Sequence, residues 1–157
     1  MNITLRKTEL ADLDTLVIFQ TDEEANHIAA FNSENPKDKG AYMAKWSKIV
    51  ERPDINMQTI VIDNAIAGSV IHFDLGDETN VSYWIDRPQW GKGIATKALQ
   101  MFLGTTDKKT LHARVAFDNI GSQKVLEKNN FIRTGSEEGF ANGRGREIEE
   151  FIYMLER

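Results

Sequence analysis

The chain has 157 residues, 41% hydrophobic and 27% charged, the proportions of a soluble globular protein, and residues 1–157 read as a single domain with one core. Its net charge of −5 argues against nucleic acid as a principal partner, because phosphate backbones select basic surfaces. Without cysteine there is no disulfide, thiolate metal site or cysteine nucleophile; without a signal-like start or a membrane-length apolar run, the expected location is cytoplasmic and off the membrane.

Ile3 to Lys7 alternates and predicts a first strand. Thr8 offers an N-cap to a short amphipathic helix carrying Leu13, Leu16, Val17 and Gln20. Asp22-Glu23-Glu24 sets acids at the head of a second helix, where they complement its dipole, with Ala25, Ile28 and Ala29 on the apolar side. After a turn-rich break from Asn32 to Pro36, Asp38 to Val50 forms a third helix with Tyr42, Trp46 and Ile49 on one face. The period then shortens. Met57 to Ile62 and Ala65 to Leu75 are paired strands around Asp63-Asn64, a turn suited to positive φ, and Gly76-Asp77-Glu78 turns into a strand at Val81 to Ile85. Ile94, Ala98 and Phe102, with Ala95, Leu99 and Leu103 beside them, predict a helix that stops at Gly104. A strand at Thr110 to Ala116, a helix at Asn119 to Asn129 and a strand at Phe131 to Thr134 follow. Gly135 to Gly145 reads as a glycine-rich connection, with Gly139 to Arg146 a flexible hairpin loop near the substrate entrance, and Ile148 to Leu155 closes the sheet. The ordering is that of an α+β domain with a mixed sheet.

Chemistry concentrates in Asp86-Arg87-Pro88-Gln89-Trp90-Gly91-Lys92-Gly93-Ile94-Ala95-Thr96, between strand and helix. Such a loop can aim several backbone N–H groups at one point, where the helix dipole also favours negative charge. It is not a P-loop, since no Lys-Ser or Lys-Thr follows Gly93. Nor is it the dinucleotide fingerprint, whose third small residue would fall at Thr96.

Gly91, Gly93 and Ala95 resemble the small positions of the acyl-CoA pyrophosphate loop in the GNAT acyltransferases, Arg/Gln-x-x-Gly-x-Gly/Ala, with Trp90 in place of Arg or Gln. That substitution is similar to the branch of ribosomal-protein and related N-acetyltransferases. So is the block from Asn119 to Phe131, which resembles the branch's Asn-x-x-Ser-x-x-Val-Leu-Glu-Lys-x-Gly-Phe. The resemblance is strongest over residues 80–131. It implies a GNAT-type fold: a mostly antiparallel twisted sheet of about seven strands, flanked by helices and splayed at the cofactor site. It also implies N-acetyl transfer from acetyl-CoA to a primary amine, a protein N-terminus or a small molecule, by direct attack through a tetrahedral intermediate.

Under that resemblance the backbone of Trp90, Gly91, Lys92, Gly93, Ile94, Ala95 and Thr96 binds the pyrophosphate. The strand before the loop carries a bulge, and the backbone of Tyr83, Trp84 and Ile85 lines the pantetheine arm, one N–H serving the developing oxyanion. The side chains of Val81, Tyr83 and Ile85 read as a packed face. Asn119 is an N-cap by position and a pantetheine contact by resemblance; Ser122, one turn on, can face the same cleft. The tyrosine that many GNAT enzymes use as general acid is replaced by Leu126, which leaves Ser122 as the candidate. Candidate bases are His72, Asp74, Glu78 and Asp86, or a water relay, with His72 having the most suitable intrinsic pKa. His27, His72 and His112 show no metal-ligand spacing, so no metal is expected. Leu126 and the lack of an obvious base keep open a non-catalytic acyl-CoA-binding or sensor domain. A C-terminal strand could pair across a homodimer.

Overall fold

The computed structural model describes residues 1–157. In chain order they form β1 (Ile3–Lys7), α1 (Leu13–Phe19), α2 (Glu23–Ala29), α3 (Lys39–Val50), β2 (Asn56–Ile62), β3 (Ala65–Leu75), β4 (Glu78–Ile85), α4 (Ile94–Leu103), β5 (Thr110–Ala116), α5 (Ile120–Lys128), β6 (Ile132–Ala141) and β7 (Arg146–Glu156). The strands make one open seven-stranded sheet in the order β1-β2-β3-β4-β5-β7-β6. Every neighbouring pair is antiparallel except β4 and β5. This is the α+β architecture expected from the sequence, with α1 to α3 before the β2–β4 meander and α4 and α5 on either side of β5.

Period-2 alternation puts apolar side chains on both faces of the sheet, so the one core expected divides into two. On one, Val70, Val81, Ile85, Leu111, Ala113 and Val115 meet Ile94, Ala98, Leu99 and Phe102 of α4 and Leu126 of α5. Each large side chain buried there contributes about 1.5–3 kcal/mol. On the other, Leu13 and Leu16 of α1 pack on Met57 and Ile71, with Tyr42 and Trp46 of α3 stacked at 5.7 Å along the edge of that cluster. A small cluster of Ala30, Ala116, Ala141 and Ile148 joins the end of α2 to β5 and to the β6–β7 hairpin. No helix is long and apolar enough to cross a membrane.

Turn chemistry follows the sequence at Asp63 and Asn64, which hold φ of 48° and 71° between β2 and β3. Several local expectations are corrected. Thr8 is not an N-cap: it is buried, and its Oγ1 lies 3.0 Å from Thr59 Oγ1, while the Asp12 carboxylate accepts the Glu9 N–H at 2.8 Å. The stop expected at Gly104 does hold, as the C-cap of α4. The segment 135–145 is not a connection between strands, because most of it is the second half of β6, paired with β7 up to Ala141↔Arg146. Glycine lowers strand propensity, but Gly135 pairs with Ile152 directly after a register shift at which Thr134 is the extra residue. The remaining turn is pinned: the Gly143 N–H donates to Ala30 O, Asn142 Nδ2 donates to Asn32 O, and Arg144 donates to both oxygens of Asp118 and to His27 O. The last strand, β7, has β5 on one side and β6 on the other, so the two open edges of the sheet are β1 and β6 and not the C-terminal strand.

Candidate active site

β4 and β5 are held apart by their other neighbours. β4 stays in unbroken register with β3 from Gly68↔Ile85 to Leu75↔Glu78, and β5 with β7 from Thr110↔Glu156 to Ala116↔Glu150. Between them they share one residue pair, Asn80↔His112, and diverge beyond it. The bulge expected in β4 is absent; the irregularity lies between β2 and β3, where the register steps from Ile60↔Gly68 to Val61↔Ile66. The parting of the strands therefore comes from two competing partners, not from a break in β4. The Asp86 N–H donates to Ala67 O at 2.8 Å, and main-chain groups alternate in direction along a strand, so Trp84 and Ser82 face β3 while Tyr83 and Ile85 face the gap. Of the expected lining backbone, Tyr83 and Ile85 stand in position and Trp84 does not. The Trp84 indole instead donates to Phe19 O on the α1 side.

The loop after β4 opens beside this gap. Gly91 and Gly93 hold φ of +77° and +76°, which side chains rarely adopt, and a Cβ built on either meets nothing within 4 Å. The Trp90 N–H donates to Arg87 O, and the next main-chain donor with a protein partner is Lys97, bonded to Gly93 O. The N–H groups of Gly91, Lys92, Gly93, Ile94, Ala95 and Thr96 make no bond within the protein, and they sit at the positive end of α4. Donors so arranged, beside glycines that leave room for close approach, fit a diphosphate. The Ile94 side chain anchors the helix in the core, whereas that of Lys92 is exposed beside Gln89. Trp90 ties the loop to the strand, its indole donating to Ile85 O at 2.8 Å. Arg87 ties it to α2 through Asp22 and Glu24 at 2.7 and 3.0 Å.

At the head of α5 the Asn119 Oδ1 accepts the Ser122 N–H at 3.2 Å, the N-cap read from the sequence. Ser122 Oγ lies 2.5 Å from the hydroxyl of Tyr83, which reaches over from β4 and also lies 3.3 Å from Ser122 O. Burial pushes the Tyr83 phenol up to about 12. Tyr83 does pack on the core, but its hydroxyl reaches Ser122, a contact that strand alternation could not indicate. Leu126 is fully buried.

His72 is not brought to this cleft. Its ring packs edge-on against Phe102 near the far end of α4, with Nε2 3.1 Å from Thr106 Oγ1, and burial holds its pKa below the ordinary value. Asp74 accepts the Thr79 hydroxyl at 2.7 Å in the β3–β4 hairpin. Asp86, at the end of β4, is raised by burial and by the neighbouring charge of Asp22. The histidine at the fork is His112. It shares with Asn80 the sheet face away from α4, its Nε2 lies 3.8 Å from Glu78 Oε1, and its buried Nδ1 has no partner. The alternation of Leu111, Ala113 and Val115 already placed His112 opposite the apolar face, and that was the signal available. On that same face Arg114 bridges Glu137 and Glu150 at 3.0 and 3.3 Å.

Comparison with known proteins agrees with this geometry. Residues 2–132 match the family described as "Acetyltransferase (GNAT) domain". The uncharacterized N-acetyltransferase p20 of Bacillus licheniformis is 25% identical, covering 98% of this chain and 92% of that protein. The ribosomal-protein-alanine N-acetyltransferase of Brucella melitensis shares the fold with a TM-score of 0.84 at 16% identity, covering 98% of this chain and 99% of its own. The yncA protein of Salmonella typhimurium, solved with its cofactor acetyl-CoA, does so with a TM-score of 0.80 at 17% identity, covering 98% and 93%. The match over residues 2–132, together with the open seven-stranded sheet, makes this chain a member of the GNAT acetyltransferase family.

Proposed function

We propose that this protein transfers the acetyl group of acetyl-CoA to a primary amine by direct attack. The reading is carried by one observation: the unpaired N–H groups from Gly91 to Thr96 open onto the gap where β4 and β5 part. Acetyl-CoA, when bound, supplies a thioester-activated acyl group. Gly91 to Thr96 would hold its diphosphate, and the main chain of Tyr83 and Ile85 would line its arm as an added strand. One of those N–H groups, aimed at a carbonyl oxygen as charge builds, contributes about 3–4 kcal/mol when such donors are tested by removal. Asn119, the N-cap of α5 with Nδ2 free of protein partners, would add an amide contact to the arm.

On the opposite face, His112 with Glu78 is the pair best situated to take the acceptor's proton. An α-amine, with a reference pKa of about 7.7–8.0, needs much less help than a lysine at about 10.4. The name of the Brucella melitensis relative also supports a protein N-terminus as the first acceptor to try. The test is an assay of free CoA release across amines, with ribosomal-protein N-terminal peptides, polyamines, amino acids and aminoglycosides in the panel. Release with at least one amine, lowered by H112Q, supports the reading. A second reading, an acyl-CoA-binding domain without catalysis, draws on Leu126, a buried core residue where many relatives carry an acidic hydroxyl. It requires binding of acetyl-CoA with no release by any amine.

A further inference from the structure

The Tyr83 hydroxyl meets Ser122 at two atoms, Oγ at 2.5 Å and the main-chain O at 3.3 Å. Ser122 is already fixed through its N–H to Asn119, and a phenol in this position could have been a phenylalanine packed on the same core. Instead its hydroxyl crosses from the edge of β4 to the first turn of α5, over the gap, and meets Ser122 Oγ at 2.5 Å. We propose that Tyr83 is a positioning residue for acyl transfer: it donates its proton to Ser122 Oγ and thereby directs the serine's own proton into the cleft, toward the departing sulfur. This rests on the acetyl-CoA reading above.

The assignment of donor follows from acidity and valence. A phenol is a far stronger acid than an alkyl hydroxyl, so in a short pair the phenol donates. Serine has one proton; once Tyr83 fills a lone pair on Oγ, that proton is free to point elsewhere. When the carbon–sulfur bond breaks, its electron pair stays on sulfur and the Ser122 hydroxyl donates a hydrogen bond to the thiolate, which then takes a proton from solvent, while the proton lost by the acceptor nitrogen goes to His112 and from there to solvent. Both hydroxyls end as they began. Outright proton transfer from Tyr83 is disfavoured, because burial pushes its phenol up to about 12, well above an ordinary thiol near 8.5.

The test is the ionisation of the CoA thiol bound to the protein, followed by the ultraviolet absorbance of the thiolate, with affinity measured by calorimetry on the same samples. In the native protein the bound thiol should ionise about tenfold more readily than free CoA, as expected when a thiolate gains a hydrogen bond. Y83F and S122A should each lose most of that gain, and the double variant Y83F/S122A should lose no more than S122A. A native-like constant in Y83F, or an additive loss in the double variant, overturns the proposal. Should Y83F fail to fold, S122A decides alone, since a native constant there is incompatible with it. If the native protein binds no CoA, the acetyltransferase reading falls and takes this one with it. If Y83F binds CoA normally and its thiol ionises as in the native protein, only this one falls.

Discussion

Alanine at Gly93 separates what the loop does for folding from what it does for binding. Gly93 is the N-cap of α4 at φ +76°, and an added Cβ meets no protein atom within 4 Å. The penalty to the fold is therefore the left-handed backbone alone, about 1–2 kcal/mol. In a chain of this length that lowers Tm by roughly 2–8 °C. Binding is hit harder if the loop relaxes away from positive φ. Moving one N–H off a diphosphate oxygen removes a charge-assisted hydrogen bond worth about 1.5–3 kcal/mol. The dissociation constant for acetyl-CoA should then rise roughly 10- to 150-fold. Calorimetric titration of G93A and native protein with acetyl-CoA measures this, and acetyl-pantetheine, which lacks the diphosphate, is the control whose affinity should not change. Equal losses for the two ligands would refute the assignment of this loop to the diphosphate, as would native acetyl-CoA affinity in a G93A protein with a lowered Tm.

The pinned hairpin makes R144A destabilising by about 2 kcal/mol in urea at neutral pH, since Arg144 is nearly buried on Asp118 and the His27 carbonyl. Hydrogen bonding from Arg144 lowers the Asp118 pKa, so the pair's contribution is complete above the ordinary carboxylate range and lost as pH falls through the lowered value; the gap between native and R144A should narrow in acid without closing. G68A should cost about 1–3 kcal/mol, because its Cβ would come within 2.1 Å of Trp84 O and force β3 from β4, the strand that lines the gap; unchanged urea stability would contradict that geometry. H72Q should leave turnover within about twofold of native, as the ring lies under the end of α4, and a tenfold fall in kcat would restore His72 as a base. Because burial lowers the folded pKa of His72, its unfolded form binds protons more readily below about pH 6.5, so native stability should decline relative to H72Q as pH falls through that range.

Element types and their order were legible because apolar periodicity is a local signal: the shift from helical spacing before Val50 to alternation after Met57 is written in adjacent residues. The loop from Trp90 to Thr96 was legible for the same reason, since glycine at the two positive-φ positions is a local requirement. The stretch from Gly135 to Ala141 was misread because strand pairing with β7, a partner later in the chain, outweighs the low propensity of glycine.

What the sequence determined by itself is therefore the series of elements and the glycine turn at the head of α4. Only the tertiary structure decided that His112, and not His72, stands at the fork, that Trp84 turns its backbone away from the gap, and that Tyr83 reaches Ser122. Each of those depends on which strand lies beside which and in what register, and a side chain's chemistry is set by neighbours that the chain brings from far along its length.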